Sequence, residues 1–186
     1  MSELKFVELI NHFGHSTLLD FLSIDLSNLI YLAIFWALIG LIIAIFDRQK
    51  RWQVLLSVVI AFVLNYLFTT LFLKGLFYRP RPFLLDPNIF PLGKIVLDSS
   101  FPSGHTTAMT LLGTIMANFY PKAWPAATLI VLAVGLSRIH NGMHYPSDVI
   151  SGIVLGFVYG IFGIIIARKV FEFLLKKKRD SVKMDK

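Results

Sequence analysis

Long stretches of the chain are apolar and uncharged, and short clusters of charged residues separate them. A helix needs about 20 apolar residues to cross a membrane. Five runs approach or reach that length: Leu26 to Phe46, Gln53 to Leu73, Thr106 to Tyr120, Ala123 to Ser137 and Val149 to Ala167. The third run is short unless residues 103–105 open the same helix. The pattern predicts an all-α integral membrane bundle with five transmembrane helices.

The segment from Leu4 to Leu22 shows a different pattern. Its apolar residues recur near helical spacing, but charges and histidines interrupt them. We predict an N-terminal amphipathic helix in the outer membrane interface; the alternative is a sixth span, which would move the N-terminus inside. The predicted organisation is an interfacial segment over 1–25, a transmembrane domain over 26–170 and a basic tail over 171–186, disordered from Lys176 onward.

The composition agrees with a membrane protein. Hydrophobic residues make up 56% of the chain and charged residues 16%, whereas soluble domains carry about 25% charged residues. The net charge of +7 comes from basic residues grouped between apolar runs, which is typical of membrane topology and not of nucleic-acid binding. The chain has no cysteine, which removes disulfides and thiolate metal sites.

The positions of the basic residues predict the orientation. Arg48, Lys50 and Arg51 lie in the loop after the first run, and further lysines and arginines follow Ala167. With five spans these regions fall on the same side, and the positive-inside bias makes that side cytoplasmic. The loops 74–101 and 138–146 then lie on the extracytoplasmic side, and the C-terminus is cytoplasmic.

The first outer loop begins with a basic cluster, Lys74 to Pro82. Lys74 and Arg81 are seven residues apart, so a helix would place them on one face as an anion site. Pro80 and Pro82 would stop that helix. The alternative is that Lys74 and Arg79 are ordinary interfacial cations.

The second cluster, Pro102 to His105, opens the third run. Ser103 is suited to cap the helix, and the free main-chain N–H groups there, including that of Gly104, can bind an anion. His105 adds an imidazole beside that anion. The alternative is a plain serine cap with an incidental histidine.

The third cluster extends from Ser137 to Asp148. Pro146 suits the first turn of a helix, so His144 lies at the helix start and Asp148 four residues later can accept a hydrogen bond from its ring. Arg138 adds a cation suited to phosphate. An acid that favours the helix dipole would explain Asp148 alone, but not all three residues.

Together the clusters have the composition of a phosphate site with acid–base chemistry. Metal-dependent hydrolysis is the rival interpretation. Lys74, Arg81 and Arg138 would repel a divalent ion, and Asp148 is the one carboxylate placed to bind it. We therefore expect no metal and no cofactor.

In order and spacing, these residues resemble the three signatures of the type 2 phosphatidic acid phosphatase superfamily. The matching residues are Lys74, Arg81 and Pro82, then Pro102, Ser103, Gly104 and His105, then Ser137, Arg138, His144 and Asp148. The resemblance covers about Leu26 to Val170 and implies a helical bundle in the cell (inner) membrane with its site at the outer face. Many members have six spans, whereas here the first is missing or replaced by the N-terminal segment.

The resemblance also implies a role for each residue. His144 would attack phosphorus and form a phosphohistidine, Asp148 would orient it, and His105 would protonate the leaving oxygen and then deprotonate water. Phosphoryl oxygens would be held by a set of five residues: Lys74, Arg81, Ser103, Gly104 and Arg138.

The outer loop between Phe83 and Phe101 is rich in apolar residues, so the substrate is expected to be a lipid that carries phosphate. A chain this short, with little outside its apolar spans, resembles the bacterial undecaprenyl diphosphate phosphatases of the superfamily, which act in cell-wall biogenesis. Phosphatidylglycerophosphate, phosphatidic acid and the 1-phosphate of lipid A remain alternatives.

Two other classes of function are alternatives to a lipid phosphatase. A lipid-phosphate transporter is the non-enzyme alternative. Vanadate-dependent peroxidases share the anion pocket of the superfamily but are soluble, so the apolar spans argue against a peroxidase. No nucleic-acid partner is expected, and the sequence leaves the oligomeric state open.

Overall fold

The computed structural model describes residues 1–13 and 16–184, and every regular element in those residues is a helix. The α-helices are α1 (Glu3–Phe13), α2 (Thr17–Leu26), α3 (Leu29–Phe46), α4 (Arg51–Leu64), α5 (Lys74–Leu76), α6 (Pro82–Leu85), α7 (Gly104–Phe119), α8 (Trp124–His140) and α9 (Pro146–Met184). A π-helix, Asn65–Leu73, joins α4 to α5 in one continuous rod, and a 3₁₀ turn, Pro121–Ala123, precedes α8.

Each of the five apolar runs lies in a helix, which confirms the all-helical prediction for the described residues. Three helices are long and apolar enough to cross a membrane: Arg51–Leu76, Pro121–His140 and Pro146–Ser181. A fourth span results if Thr17–Leu26 and Ile30–Phe46, bent by 56°, are taken together. Helix α7 has 16 residues, and at 1.5 Å per residue its length is about 24 Å, shorter than a usual span. The count of five is therefore not established by length and composition.

Helix α7 lies at the centre of the bundle, where it contacts α4, α8 and α9. Glycines every four residues along α9 allow close packing. A Cβ atom on Gly152 would lie 2.8 Å from the Ser103 carbonyl oxygen, and one on Gly156 would overlap the Thr107 carbonyl. Small residues let helices in a membrane approach closely, so this stripe brings the start of α9 against the start of α7.

The N-terminal segment forms two helices instead of the single helix predicted over residues 4–22. Asn11 of α1 is fully buried and donates from Nδ2 to the main-chain oxygens of His140 (2.6 Å) and Phe90 (3.0 Å). Ser23 of α2 is buried and donates to Asn141 Oδ1 at 2.6 Å. These polar contacts anchor both helices on the end of α8, so the segment is part of the bundle.

The last helix continues beyond its predicted end at Ala167. Helix α9 runs to Met184, so the structure does not show the disorder predicted from Lys176 onward; Lys186 lies outside the described residues. After Gly163 the chain has no glycine or proline to break the helix, and its lysines, leucines and arginines are good helix formers.

Candidate active site

Lys74 and Arg81 converge on one carboxylate, that of Asp98. Lys74 Nζ donates to Asp98 Oδ2 at 2.5 Å, and Arg81 donates to Asp98 Oδ1 at 2.5 Å and to the Asp98 carbonyl at 3.2 Å. The helix ends at Leu76, so the predicted shared helix face is wrong. An extended segment brings the two cations together instead, because Pro80 and Pro82 prevent the helix from continuing.

The three side chains of this ion-pair cluster differ in exposure. The exposed fraction is 4% for Arg81, 19% for Lys74 and 46% for Asp98. Burial alone would raise the pKa of the Asp98 carboxyl, but hydrogen bonds and charge from Lys74 and Arg81 outweigh it and lower that pKa. Asp98 is therefore an anion that covers two deeper cations.

His144 is buried, and its two ring nitrogens have different partners. Nδ1 lies 2.7 Å from the Ser100 carbonyl oxygen, and Nε2 lies 3.4 Å from Arg81 Nη1. A carbonyl only accepts, so we assign the ring proton to Nδ1, which leaves the Nε2 lone pair unprotonated. Burial lowers the pKa of His144 to about 4; the Asp148 carboxylate opposes this shift, and the charges of Arg138 and Arg81 add to it.

Asp148 is fully buried on the first turn of α9, and its oxygens bind groups other than the His144 ring. Oδ1 accepts from Arg79 at 2.6 Å, and Oδ2 accepts from the main-chain N–H of Tyr145 at 2.9 Å. Oδ2 lies 3.6 Å from His144 Nδ1. That distance suits an ion pair with a protonated ring but is too long for the hydrogen bond predicted from the sequence.

Arg79, set aside in the sequence as an interfacial cation, joins three parts of the chain. Its guanidinium donates to Asp148 and, at 2.7 Å each, to Ser147 Oγ and to Glu3 Oε2. It also lies 3.8 Å from the centre of the Tyr145 ring. Arg79 thus fixes the start of α9, and Glu3 brings the N-terminus of α1 to the same place.

The start of α7 is held against the start of α9. The main-chain N–H of Ser103 donates to the Asp148 carbonyl at 3.1 Å. The buried Ser103 hydroxyl lies 2.9 Å from the Thr106 hydroxyl and makes no cap bond to the helix. Among the described residues, a Cβ atom on Gly104 would meet nothing within 4 Å, so the main chain at this helix start is open on that side.

Arg138 lies in the last turn of α8 and is 6% exposed. Its Nε atom is buried and has no hydrogen-bond partner among the described residues. Its carbonyl accepts from the N–H groups of Met143 and His144 at 3.1 and 3.2 Å. A buried cation with an unmet donor, next to a histidine, is suited to bind an anion.

His105 belongs to the same cluster. Arg138 and Arg81 are close enough for their charges to act on its ring, His144 is a further neighbour, and the ring is hydrogen-bonded to the main chain of Ser27. The structure therefore brings together the two histidines with Arg81 of the first sequence cluster and Arg138 of the third.

Other polar residues have structural partners. His140 binds Asp20 Oδ1 at 2.9 Å and the Ile10 carbonyl at 3.1 Å, so it anchors the N-terminal helices. Over residues 1–13 and 16–184, no group of three or more histidine, aspartate or glutamate side chains is arranged to hold a metal ion.

An apolar cavity of about 780 Å³ opens beside the cluster, between the end of the α4–α5 rod and α9. Leu76, Phe77, Phe101 and Val154 line it together with Arg79. Because Arg79 also binds Asp148, the cavity adjoins the residues around His144.

Comparisons with known proteins give the family. A sequence model of the PAP2 superfamily matches residues 51–172. Undecaprenyl-diphosphatase BcrC of Bacillus subtilis is 32% identical over 151 residues, which are 78% of this chain and 74% of that protein. The bacitracin transport permease protein BcrC of Bacillus licheniformis is 34% identical over 133 residues, which are 71% of this chain and 64% of that protein.

A crystal structure agrees with these matches. Aquifex aeolicus LpxE superposes with a TM-score of 0.70 at 27% identity, over 87% of this chain and 93% of that one. The family model covers well over half of the chain, and the conclusion is that the protein belongs to the PAP2 superfamily.

Proposed function

We propose that the protein is an integral membrane lipid phosphatase that works through a phosphohistidine on His144. One observation carries the proposal: the unprotonated Nε2 of His144 lies 3.4 Å from Arg81, in a cluster where the buried Arg138 has an unmet donor. A nucleophile beside buried cations, one of which has an unmet donor, is what phosphoryl transfer requires.

The reaction has two steps. His144 Nε2 attacks phosphorus in line, the bond to the leaving oxygen breaks, and His105 gives that oxygen a proton. A water molecule, deprotonated by His105, then attacks the phosphohistidine, and the phosphorus–nitrogen bond breaks to release phosphate. Asp148, 3.6 Å from Nδ1, stabilises the positive charge that the ring carries between the two steps.

The phosphoryl oxygens are held by Lys74, Arg81 and Arg138 and by the main-chain N–H of Gly104. Positioned cations and N–H donors stabilise the charge that these oxygens carry in the transition state. Ser103 contributes through its main chain, whose N–H ties the start of α7 to Asp148. Its hydroxyl is bonded to the Thr106 hydroxyl. The cations make a divalent metal ion unnecessary for this chemistry, and we propose metal independence.

The substrate is a membrane lipid whose phosphate reaches the site from the side. The apolar cavity that adjoins Arg79 suits a hydrocarbon chain. Undecaprenyl diphosphate, converted to undecaprenyl phosphate and phosphate, is our first choice, supported by the name of the Bacillus subtilis relative. Phosphatidylglycerophosphate, phosphatidic acid and lipid A 1-phosphate are the alternatives.

We further propose that α3, the α4–α5 rod, α7, α8 and α9 all cross the cell (inner) membrane, with the site outside and the C-terminus inside. Asp47 at the end of α3 accepts from Tyr120 at the end of α7 at 3.0 Å. Asn118 accepts from Arg168 at 3.2 Å. These contacts lie at the ends of α3 and α7 opposite the His144 cluster, as alternating helices require.

The test is hydrolysis by the purified protein in detergent. We expect release of phosphate from undecaprenyl diphosphate faster than from the three alternative lipids, with no loss of rate in EDTA. His144→Asn should abolish turnover, and His12→Asn, which removes an imidazole outside the cluster, should retain it. Rapid alkaline quenching should trap labelled phosphate on the wild-type protein alone, as a phosphorus–nitrogen bond that acid cleaves.

The outcomes discriminate among the interpretations. Equal rates on all four lipids would reject the specific substrate, and a loss of activity in EDTA that one divalent ion restores would reject metal independence. A His144→Asn variant that is folded and active would reject the nucleophile. The name of the Bacillus licheniformis relative makes transport the second candidate, and uptake of lipid phosphate into proteoliposomes without hydrolysis would favour it.

A further inference from the structure

Asp98 occupies the position at the site where an anion is expected. Its two carboxylate oxygens bind different cations: Oδ2 binds Lys74 and Oδ1 binds Arg81, each at 2.5 Å. Two oxygens of a phosphoryl group would meet the same two donors in the same way, because charge-assisted pairs of this kind suit carboxylates and phosphates alike.

The surroundings of Asp98 allow it to leave. Its side chain is 46% exposed, whereas the two cations beneath it are 19% and 4% exposed. The next two residues are anchored: Ser99 Oγ accepts from the Arg79 N–H, and the Ser100 N–H donates to the Arg79 carbonyl. The carboxylate can therefore turn outward while the main chain that holds His144 Nδ1 remains in place.

The contacts of Arg81 link Asp98 to the reacting histidine. The guanidinium that binds Asp98 also approaches His144 Nε2 at 3.4 Å, and the charge of Asp98 reaches Arg138 as well. An anion that binds at Nε2 must share these cations with Asp98 or displace it.

We propose that Asp98 is a specificity-determining residue that competes with phosphate for Lys74 and Arg81 and so weakens retention of free inorganic phosphate. This inference rests on the proposed function. A lipid substrate has additional binding energy from its hydrocarbon chain and is concentrated in the membrane, so it displaces the carboxylate more readily than a free ion does. The released phosphate has lost that advantage, and Asp98 returns to the cations as phosphate leaves.

The experiment measures binding of inorganic phosphate to the full chain in detergent by isothermal titration calorimetry, without substrate. We expect Asp98→Asn, which keeps the side-chain shape and removes the charge, to bind phosphate roughly five- to tenfold more tightly than the wild type, as expected when two partly exposed ion pairs no longer compete. Inhibition of lipid hydrolysis by added phosphate should tighten in parallel.

Asp86→Asn is the matched control. Asp86 lies in the same outer loop, where its carboxylate accepts from the Asn88 N–H at 2.9 Å, so its removal changes the loop charge by the same amount without touching Lys74 or Arg81. We expect its phosphate affinity to equal that of the wild type. If Asp98→Asn does not fold, as judged by thermal unfolding, Asp98→Ala carries the same expectation.

Two results would overturn the proposal. Phosphate binding no tighter in the Asp98 variants than in the wild type, or detectable in none of them, would mean that Asp98 positions the cations. Equal tightening in Asp86→Asn would mean a general effect of loop charge.

The failure of this inference can be told from the failure of the proposed function. If the protein hydrolyses lipid but Asp98→Asn has unchanged phosphate affinity, this inference alone is wrong. If Asp98→Asn binds phosphate more tightly but the wild type hydrolyses none of the lipids, the proposed function alone is wrong.

Discussion

At the scale of single residues, the surroundings of the His144 ring fix its tautomer and its charge. The Ser100 carbonyl at 2.7 Å holds the proton on Nδ1, and this directs the unprotonated Nε2 toward Arg81. Because the uncharged ring is easier to bury than the imidazolium, the same environment that buries the ring also keeps it neutral, as the proposed attack on phosphorus requires.

The first prediction concerns the charge of this ring. Burial lowers the pKa of His144 to about 4, so the folded protein should keep the ring neutral at pH values where a free imidazole, with a pKa of about 6.5, becomes protonated. Nitrogen NMR of protein with ¹⁵N-labelled histidine should show one Nδ1-protonated neutral ring that does not titrate between about pH 8 and pH 5.5. Its signal should be absent from His144→Asn. Titration with a midpoint near the free value would contradict this environment.

The sequence predicted some site residues and missed others for a physical reason. His144, Arg138 and His105 stand out because their types and spacing suit phosphate chemistry. Asp98 and Glu3 do not, since each reaches its partner only through the folded chain: Asp98 lies 17 positions from Arg81, and Glu3 lies 76 positions from Arg79. For Arg79 the repeated Arg-Pro pair of residues 79–82 was an available signal.

At the scale of helices, periodicity predicted which segments are helical but not how they pack. The extended segment after Leu76 could not be inferred from the spacing of Lys74 and Arg81. Two residues seven positions apart share a helix face only if one continuous helix includes both. The Gly-x-x-x-Gly spacing of Gly152, Gly156 and Gly160 is visible in the sequence. Its partner, the threonine-rich face of α7, becomes evident only in the packed structure.

The second prediction tests this packing. A Cβ atom on Gly156 would overlap the Thr107 carbonyl, whereas one on Gly40 of α3 would meet nothing within 4 Å. Overpacking a tight contact costs about 1–3 kcal/mol, while alanine in place of glycine in an open helix favours the helix by up to about 1 kcal/mol. We expect Gly156→Ala to lower the thermal unfolding midpoint in detergent and Gly40→Ala to leave it equal or higher. Equal midpoints for both variants would mean that α7 and α9 are not packed through this stripe.

At the scale of the whole molecule, the candidate site and the two basic segments of the chain lie at opposite ends of the bundle. The site lies where the α4–α5 rod and α8 end and where α7 and α9 begin. The basic loop at residues 48–51 and the basic end of α9 lie toward the opposite ends of these helices. Glu3, bound to Arg79 and Ser147, places the N-terminus of α1 beside the site. That contact favours the interfacial arrangement over a sixth span, which would carry Glu3 to the opposite side.

The last prediction tests this orientation, and the absence of cysteine from the chain makes single-cysteine labelling direct. Ser2, Gln49 and Lys94 are all exposed. A membrane-impermeant maleimide applied to intact cells, or to spheroplasts if an outer membrane is present, should label Ser2→Cys and Lys94→Cys, and should label Gln49→Cys only after permeabilisation. Protection of Ser2→Cys beside labelled Lys94→Cys would support the six-span alternative, because a further crossing would then separate the N-terminus from the outer loop. Labelling of Gln49→Cys with protection of Lys94→Cys would mean that the orientation is inverted, and the proposed phosphate site would then face the cytoplasm.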